Sequence, residues 1–201
     1  MYRVNEIFLS LQGEGLWAGT AAVFVRLSGC NLKCPFCDTN FKEFKEMSVP
    51  DIVNMIYEVC DEKPLPSMCV ITGGEPTLQL QNDLIDAIHD MGMQVNLETN
   101  GTRQVPELVD FVTVSPKSPF IDGDKLVVDR CNEVKVVMTK DISIEEIRSF
   151  EKIAADWFFI QPCDTGDTAE NKKIMQRAVE FVKYHPNWRL SLQQQKILNV
   201  R

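Results

Sequence analysis

Histidine is scarce in this chain of 201 residues: there are two, His89 and His185. Zinc sites draw cysteine and histidine in pairs at fixed spacings. Here His89 falls in one amphipathic helical pattern and His185 near the end of another, so neither is an obvious ligand. No apolar run approaches the roughly 20 residues that cross a bilayer as a helix, so no membrane partner is expected. Basic residues are in deficit, with 21 Lys and Arg against 29 Asp and Glu for a net charge of −8. That balance argues against nucleic acid as a partner, which would need a basic face to neutralise phosphates. Low-complexity runs, internal repeats and linkers are also missing. One domain spanning residues 1–201 is therefore expected, long enough for a substantial core. No secretory signal is evident, because Met1-Tyr2-Arg3-Val4-Asn5-Glu6 leads straight into a strand-like stretch. With an odd number of cysteines, seven, this favours a reducing cytoplasm over a disulfide-forming compartment.

What is present is concentrated in Cys30-Asn31-Leu32-Lys33-Cys34-Pro35-Phe36-Cys37. Three thiols this close can be a disulfide plus a spare, a structural zinc site, buried packing, or the ligands of one cluster. Iron–sulfur cubanes are normally held by four cysteine thiolates. Three would leave one iron open to an exchangeable ligand. The other cysteines, Cys60, Cys69, Cys131 and Cys163, read as packing residues: Cys60 on a helical apolar face, Cys69 inside a strand, Cys131 in a connecting stretch.

The chain otherwise alternates strands with helices. Short apolar runs at 21–27, 68–72, 94–98, 111–115, 133–137, 157–161 and 189–192 have the look of buried parallel strands. Ser48 can cap a helix with an apolar face of Val49, Ile52, Val53, Ile56, Val59 and Cys60. Leu84, Ile85, Ile88 and Met91 form a second stripe, Ser143 to Glu146 reads as a capping box, and Ile174, Ala178, Phe181 and Val182 mark a fourth helix. Such alternation implies parallel pairing with right-handed crossovers. The length is too short for a full eight-fold barrel of about 250 residues. The expected fold is an α/β incomplete (partial) barrel with a parallel sheet of six or seven strands.

Polar motifs fall where these strands end. Thr72-Gly73-Gly74-Glu75-Pro76, Glu98-Thr99-Asn100-Gly101, Ser115-Pro116-Lys117 and Gln161-Pro162-Cys163-Asp164 each follow a run, and the cysteine loop follows the first. Each alone is an ordinary turn or cap, but in a parallel α/β fold all five share one rim. Gly73 and Gly74 permit close backbone approach to a ligand, and Glu75 offers a charge for a ligand ammonium.

Cysteines spaced C-x3-C-x2-C, Phe36 before the third, and Gly73-Gly74-Glu75-Pro76 resemble the radical S-adenosylmethionine superfamily. Ser10-Leu11-Gln12-Gly13-Glu14-Gly15, Arg26, Cys37-Asp38-Thr39, Glu98-Thr99-Asn100-Gly101-Thr102 and Arg189-Leu190-Ser191-Leu192-Gln193 narrow the likeness to the 7-carboxy-7-deazaguanine synthase family. The likeness runs from Glu6 to Arg201. It implies a [4Fe–4S] cluster on Cys30, Cys34 and Cys37. S-adenosylmethionine would lie against Phe36, Cys37, Asp38, Gly74, Ser115, Pro116, Lys117, Gln161, Pro162, Cys163 and Asp164. Mg2+ would take Thr39 as its protein ligand, keeping waters and substrate oxygens for the rest. The substrate implied is 6-carboxy-5,6,7,8-tetrahydropterin, held by Leu11, Gln12, Gly13, Glu14, Arg26, Thr72, Glu98, Gln195 and Arg201. Gln12, Glu14 and Glu98 suit a pterin's amide and amino edge, and Arg26 suits a carboxylate. The implied reaction removes hydrogen from C6 by a 5′-deoxyadenosyl radical, contracts the ring, returns the hydrogen and expels ammonia, regenerating S-adenosylmethionine.

The family's tail commonly reads Thr-His-Lys, where this chain has Gln194-Gln195-Lys196. Gln195 can replace that histidine only as a neutral hydrogen-bonder. An electron donor of flavodoxin type and a homodimer are further expectations. Two rival readings are a glycyl-radical-enzyme activase and a non-catalytic metal-binding module.

Overall fold

The structure is a computed structural model that describes the chain except for Asp38 and residues 40–42, 62 and 118–124. Its frame is one nine-stranded sheet in the order β3-β1-β2-β4-β5-β6-β7-β8-β9. The strands are β1 (Tyr2–Leu11), β2 (Ala21–Leu27), β3 (Lys45–Met47), β4 (Met68–Gly73), β5 (Gln94–Thr99), β6 (Phe111–Val114), β7 (Arg130–Met138), β8 (Ala154–Pro162) and β9 (Trp188–Leu190). From β2 through β4 to β9 every pairing is parallel, while β1 runs antiparallel to β2 and to β3. All seven expected runs are these parallel strands. The two antiparallel ones extend the sheet at one edge, which remains open.

Among the described residues four α-helices connect strands, α1 (Val49–Cys60), α2 (Asn82–Asp90), α3 (Ile144–Ser149) and α4 (Thr168–Tyr184), and α5 (Gln194–Leu198) follows the last strand. Ser48 caps α1 in a reciprocal box with Asp51, satisfying amides that the helix leaves unpaired. At α3 only half of the expected box forms. Ser143 Oγ accepts from the Glu146 amide at 3.0 Å, and Glu146 Oε1 has no partner. Cys131 lies within β7 rather than in a connection.

Side chains alternate across the sheet, so the two faces differ. On the outer face Val23, Val25, Leu27, Ile71, Val95 and Leu97 pack against Ile52 and Ile56 of α1 and Leu84, Ile85 and Ile88 of α2. Val134, Val136, Met138 and Ile160 pack against Ile147, Ile174, Ala178 and Phe181. Burying aliphatic side chains of this size stabilises by roughly 1.5–3 kcal/mol each. The inner face is layered. Its floor is apolar: Ala22, Met68 and Val70 pack with Trp17 and Phe24, and Trp17 meets the Phe111 ring edge-on at 5.7 Å. Above it the register aligns polar residues, with Arg26 beside Thr72, Glu98 beside Thr113, and Thr113 beside Glu133.

The glycine pair answers to the chain itself. Gly73 adopts φ +141°, and a Cβ there would lie 1.9 Å from the Leu27 carbonyl oxygen; one at Gly74 would lie 2.1 Å from that of Gly29. The loop after β4 can therefore touch the cysteine loop only without side chains, and the Gly74 and Glu75 amides donate to Leu27 and Gly29 at 3.1 and 2.9 Å. Gly73→Ala is expected to cost about 3 kcal/mol in urea unfolding. Gly92→Ala, also at positive φ but facing open space, should cost only about 1 kcal/mol.

Candidate active site

A cavity of about 990 Å³ opens at the carboxyl ends of the strands. Small-molecule sites run to about 300–1,000 Å³, so this one can hold a cofactor and a substrate together. Cys30, Cys34, Cys37 and Thr39 stand on one wall with Phe36, and Gly74, Ser115, Lys117, Gln161, Pro162, Cys163 and Asp164 also face it. Leu11, Gln12, Gly13, Glu14, Arg26, Thr72, Glu98, Gln195 and Arg201 line the remainder. Of the residues expected at the site, Pro116 is not on the cavity wall, and Asp38 lies outside the described residues. Neither histidine lines it: His89 Nε2 meets Asp110 at 2.8 Å, and His185 Nδ1 meets the Phe181 carbonyl at 2.7 Å.

Glu75, expected to meet a ligand, is instead buried and spent within the protein. Its oxygens accept from Thr77 Oγ1 at 2.6 Å, Thr99 Oγ1 at 2.7 Å and the Thr77 and Asn100 amides at 3.1 and 2.7 Å. Asn100 Nδ2 in turn donates to Asn31 Oδ1 at 3.1 Å, and Asn31 Nδ2 to Thr102 Oγ1 at 2.9 Å. The cysteine loop is thus moored to the loops after β4 and β5. Burial pushes the Cys30 and Cys34 thiols up.

The donor set fits a cluster. Three sulfurs on one loop face a common space, while among the described residues no group of three or more His, Cys, Asp or Glu is arranged around a single ion. Cysteine thiolates are the ligands that hold iron–sulfur cubanes. Thr39 offers one hard oxygen to the same space, which suits Mg2+ that keeps most of its waters.

The opposite wall is built on charge. Lys135, 3% exposed, sends its Nζ 2.8 Å to Glu14 Oε2 and 2.9 Å to Glu98 Oε2. Gln193 and Gln195 each donate to Glu14 Oε1 at 3.1 Å, and Gln12 Nε2 donates to Glu98 Oε1 at 3.3 Å. Burial opposes the charge on Glu14, but Lys135 and the two glutamines outweigh it and hold the carboxyl at about 2. Burial likewise opposes the charge on Lys135, and Glu14, Glu98 and Glu133 reverse it, holding the ammonium protonated. Lys117 is pushed down by burial and by Lys135; its Nζ donates to Ser115 Oγ at 2.5 Å and lies 5.8 Å from the Phe36 ring centre.

At the mouth, Arg26 Nε donates to Glu6 Oε1 at 2.7 Å, and Arg201 Nη2 pairs with Glu6 Oε2. A register shift between Val4 and Glu6 sets Glu6 opposite Arg26. Both guanidiniums flank Phe8, at 5.9 and 5.0 Å, which itself stacks on Phe24 at 5.0 Å. Asp164 accepts from Lys196, Gly166 and Asn171, which hold its carboxyl at about 2.

Comparison with known proteins agrees with this geometry. Residues 24–124 match the model of the Radical SAM superfamily. The chain is 46% identical over 203 residues to the 7-carboxy-7-deazaguanine synthase of Bacteroides thetaiotaomicron, covering 100% of both. It is 38% identical to that of Bradyrhizobium diazoefficiens, covering 100% of this chain and 99% of that protein. The chain belongs to the 7-carboxy-7-deazaguanine synthase family. The crystal structure of QueE from Escherichia coli superposes with a TM-score of 0.75 at 28% identity, covering 96% of this chain and 93% of that one. SuiB of Streptococcus suis bound to S-adenosylmethionine shares the fold, with a TM-score of 0.55 at 17% identity over 81% of this chain and 44% of that one. As a family member the chain is a radical S-adenosylmethionine lyase, with a [4Fe–4S] cluster, S-adenosylmethionine and Mg2+ as its cofactors.

Sequence reasoning did not single out Lys135, Glu133 or Glu6 within this family site. The signal was there for the first two: Glu133-Val134-Lys135 sets two charges on one face of an otherwise apolar strand. Buried charges need partners, so the pair marks a polar interior. Glu133 lies behind the cavity wall, where its Oε2 accepts from the Leu16 amide at 2.8 Å. Burial raises it from 4.5 to about 7, against the pull of Lys135. Between these values the folded protein keeps a proton that the unfolded chain has lost. Its contribution is therefore complete below about pH 4.5 and disappears as pH rises through about 7. The unfolding free energy should fall across that window by on the order of 1–3 kcal/mol, and Glu133→Gln should remove that part of the fall. A variant that tracks the wild type at every pH would contradict the assignment.

Proposed function

We propose that this chain converts 6-carboxy-5,6,7,8-tetrahydropterin to 7-carboxy-7-deazaguanine and ammonia, on the route to queuosine-type deazapurines. The observation that carries the reading is one cavity whose lining brings together three thiols, a clamped carboxylate pair and, at its mouth, two arginines. An activase acting on a partner protein needs no such enclosed, paired recognition of a small acid, and a non-catalytic metal module needs no second wall.

Cys30, Cys34 and Cys37 would hold the [4Fe–4S] cluster, and Thr39 the Mg2+. Held together there, the cluster and S-adenosylmethionine would supply reversible hydrogen-atom abstraction. Phe36, Gly74, Ser115, Lys117 and the segment from Gln161 to Asp164 would bind and orient that cofactor. For Asp38 and Pro116 the same role rests on the family motif alone. Glu14 and Glu98 accept hydrogen bonds from the pterin's amide and amino groups, with Gln12 and the backbone from Leu11 to Gly13 completing that edge. Gln195 acts here as a neutral hydrogen-bonder. Its Nε2 donates to Glu14, and its Oε1 is buried against Gly13 with no partner among the described residues. Arg26 and Arg201 receive the substrate carboxylate, and Thr72 supports the bound ring. The apolar floor under Trp17 and Phe24 keeps water from the reacting ring.

We further read the chain as one domain, since one sheet takes its strands from Tyr2 to Leu190. The enzyme would work in the cytoplasm with a flavodoxin-type reductant. As a homodimer it would cover sheet edges such as β3 and β9.

An anaerobic assay of reconstituted protein with dithionite, S-adenosylmethionine, Mg2+ and 6-carboxytetrahydropterin tests the reaction. Mass spectrometry should find 7-carboxy-7-deazaguanine with little loss of S-adenosylmethionine. Accumulation of 5′-deoxyadenosine without that product would reject the substrate. Arg26→Lys, which loses the two-pronged guanidinium, should raise KM about tenfold or more with a smaller change in kcat. An unchanged KM removes Arg26 from carboxylate recognition.

A further inference from the structure

Lys135 is the most deeply buried charge on the cavity wall, and its surroundings are uneven. Glu14 reaches it from the segment after β1, Glu98 from β5 and Glu133 from β7, with Lys117 after β6 within electrostatic reach. Among the described residues only Glu14 and Glu98 come within ion-pair distance, at 2.8 and 2.9 Å, and both line the cavity while Glu133 does not. Two carboxylates this close on one ammonium would otherwise repel, and one would take up a proton. A protonated carboxyl gives up an acceptor position. A substrate edge made of N–H groups needs both acceptors. Lys135 is a donor only and so matches nothing on that edge.

We propose that Lys135 is a positioning residue for the substrate's donor edge: its buried ammonium clamps Glu14 and Glu98, from separate elements, into one pair of ionised acceptors facing the cavity. The inference rests on the pterin reading above. Its specificity follows from the same geometry. Ring systems that present an amide N–H beside an amino group satisfy both carboxylates, whereas one lacking the amino group leaves a buried acceptor unpaired.

The test uses holoenzyme carrying Lys135→Met, with 6-carboxytetrahydropterin as the probe and the spectral response of the cluster to S-adenosylmethionine as the folding control. Expected are a KM raised at least about tenfold, a kcat within about threefold, an unchanged response to S-adenosylmethionine, and recovery of most of the loss by Lys135→Arg. A KM within about twofold of wild type overturns the proposal, as does an equal loss of kcat and kcat/KM that arginine does not restore. If Lys135→Met does not fold, Lys135→Gln decides by the same criteria, and failure of both to fold assigns the ammonium to folding alone and overturns it too. Wild-type enzyme that does not turn over the pterin sinks the functional reading itself, whereas a working wild type with an indifferent variant sinks only the role of Lys135.

Discussion

Glu75 lies fully buried where the loops after β4 and β5 meet, and its two oxygens take hydrogen bonds from Thr77, Thr99 and Asn100. A carboxylate without water is tolerable only when its lone pairs are filled, so these loops can fold only around it. Through Asn100 and Asn31 the same network reaches the cysteine loop, and the Gly73–Gly74 contact locks that loop from the other side. The rim is therefore held by the protein's own hydrogen bonds, which is what chemistry on a reactive intermediate requires of its protein.

Below the rim, the sheet separates apolar from polar by layer. Parallel register carries residue type from strand to strand, so one row is Phe24, Val70, Asn96 and Phe111 while the row above is Arg26 and Thr72, then Glu98, Thr113 and Glu133. The lower row closes the interior and the upper row equips it. Charge is then distributed so that Glu98 of the upper row and Glu14 from the segment after β1 meet one buried cation, and arginines collect at the mouth around Glu6. Glu98 stands on β5 and Arg26 on β2, so the acceptor pair and the arginines occupy different parts of the lining.

The legible part of this protein was the part carried by local pattern. Runs of β-branched and aliphatic residues marked all seven parallel strands, since strands buried on both faces read as continuous apolar stretches. Strand β1 was harder to classify because its exposed and buried residues alternate irregularly across a register shift, and β3, with three residues, is too short to leave a pattern. The helix α5 reads as a polar tail because its hydrogen bonds to Gly13 and Glu14, not an apolar stripe, hold it in place. Motif spacing brought the cysteines and the rim residues to notice. Glu75 was misjudged because a motif tells which residues recur together and not where each side chain points.

By itself the sequence determined the alternation of strands and helices, the three-cysteine loop and the family likeness, because each is encoded by residues near one another in the chain. Only the tertiary structure decided which charges share a space. Glu14, Glu98 and Lys135 are separated by dozens of residues, and their meeting depends on the register of β5, β6 and β7 and on the path of the chain after β1. Long-range register is set by the packing of both sheet faces at once. It made Glu75, in the loop after β4, a structural joint and Lys135 of β7 a part of the site's lining.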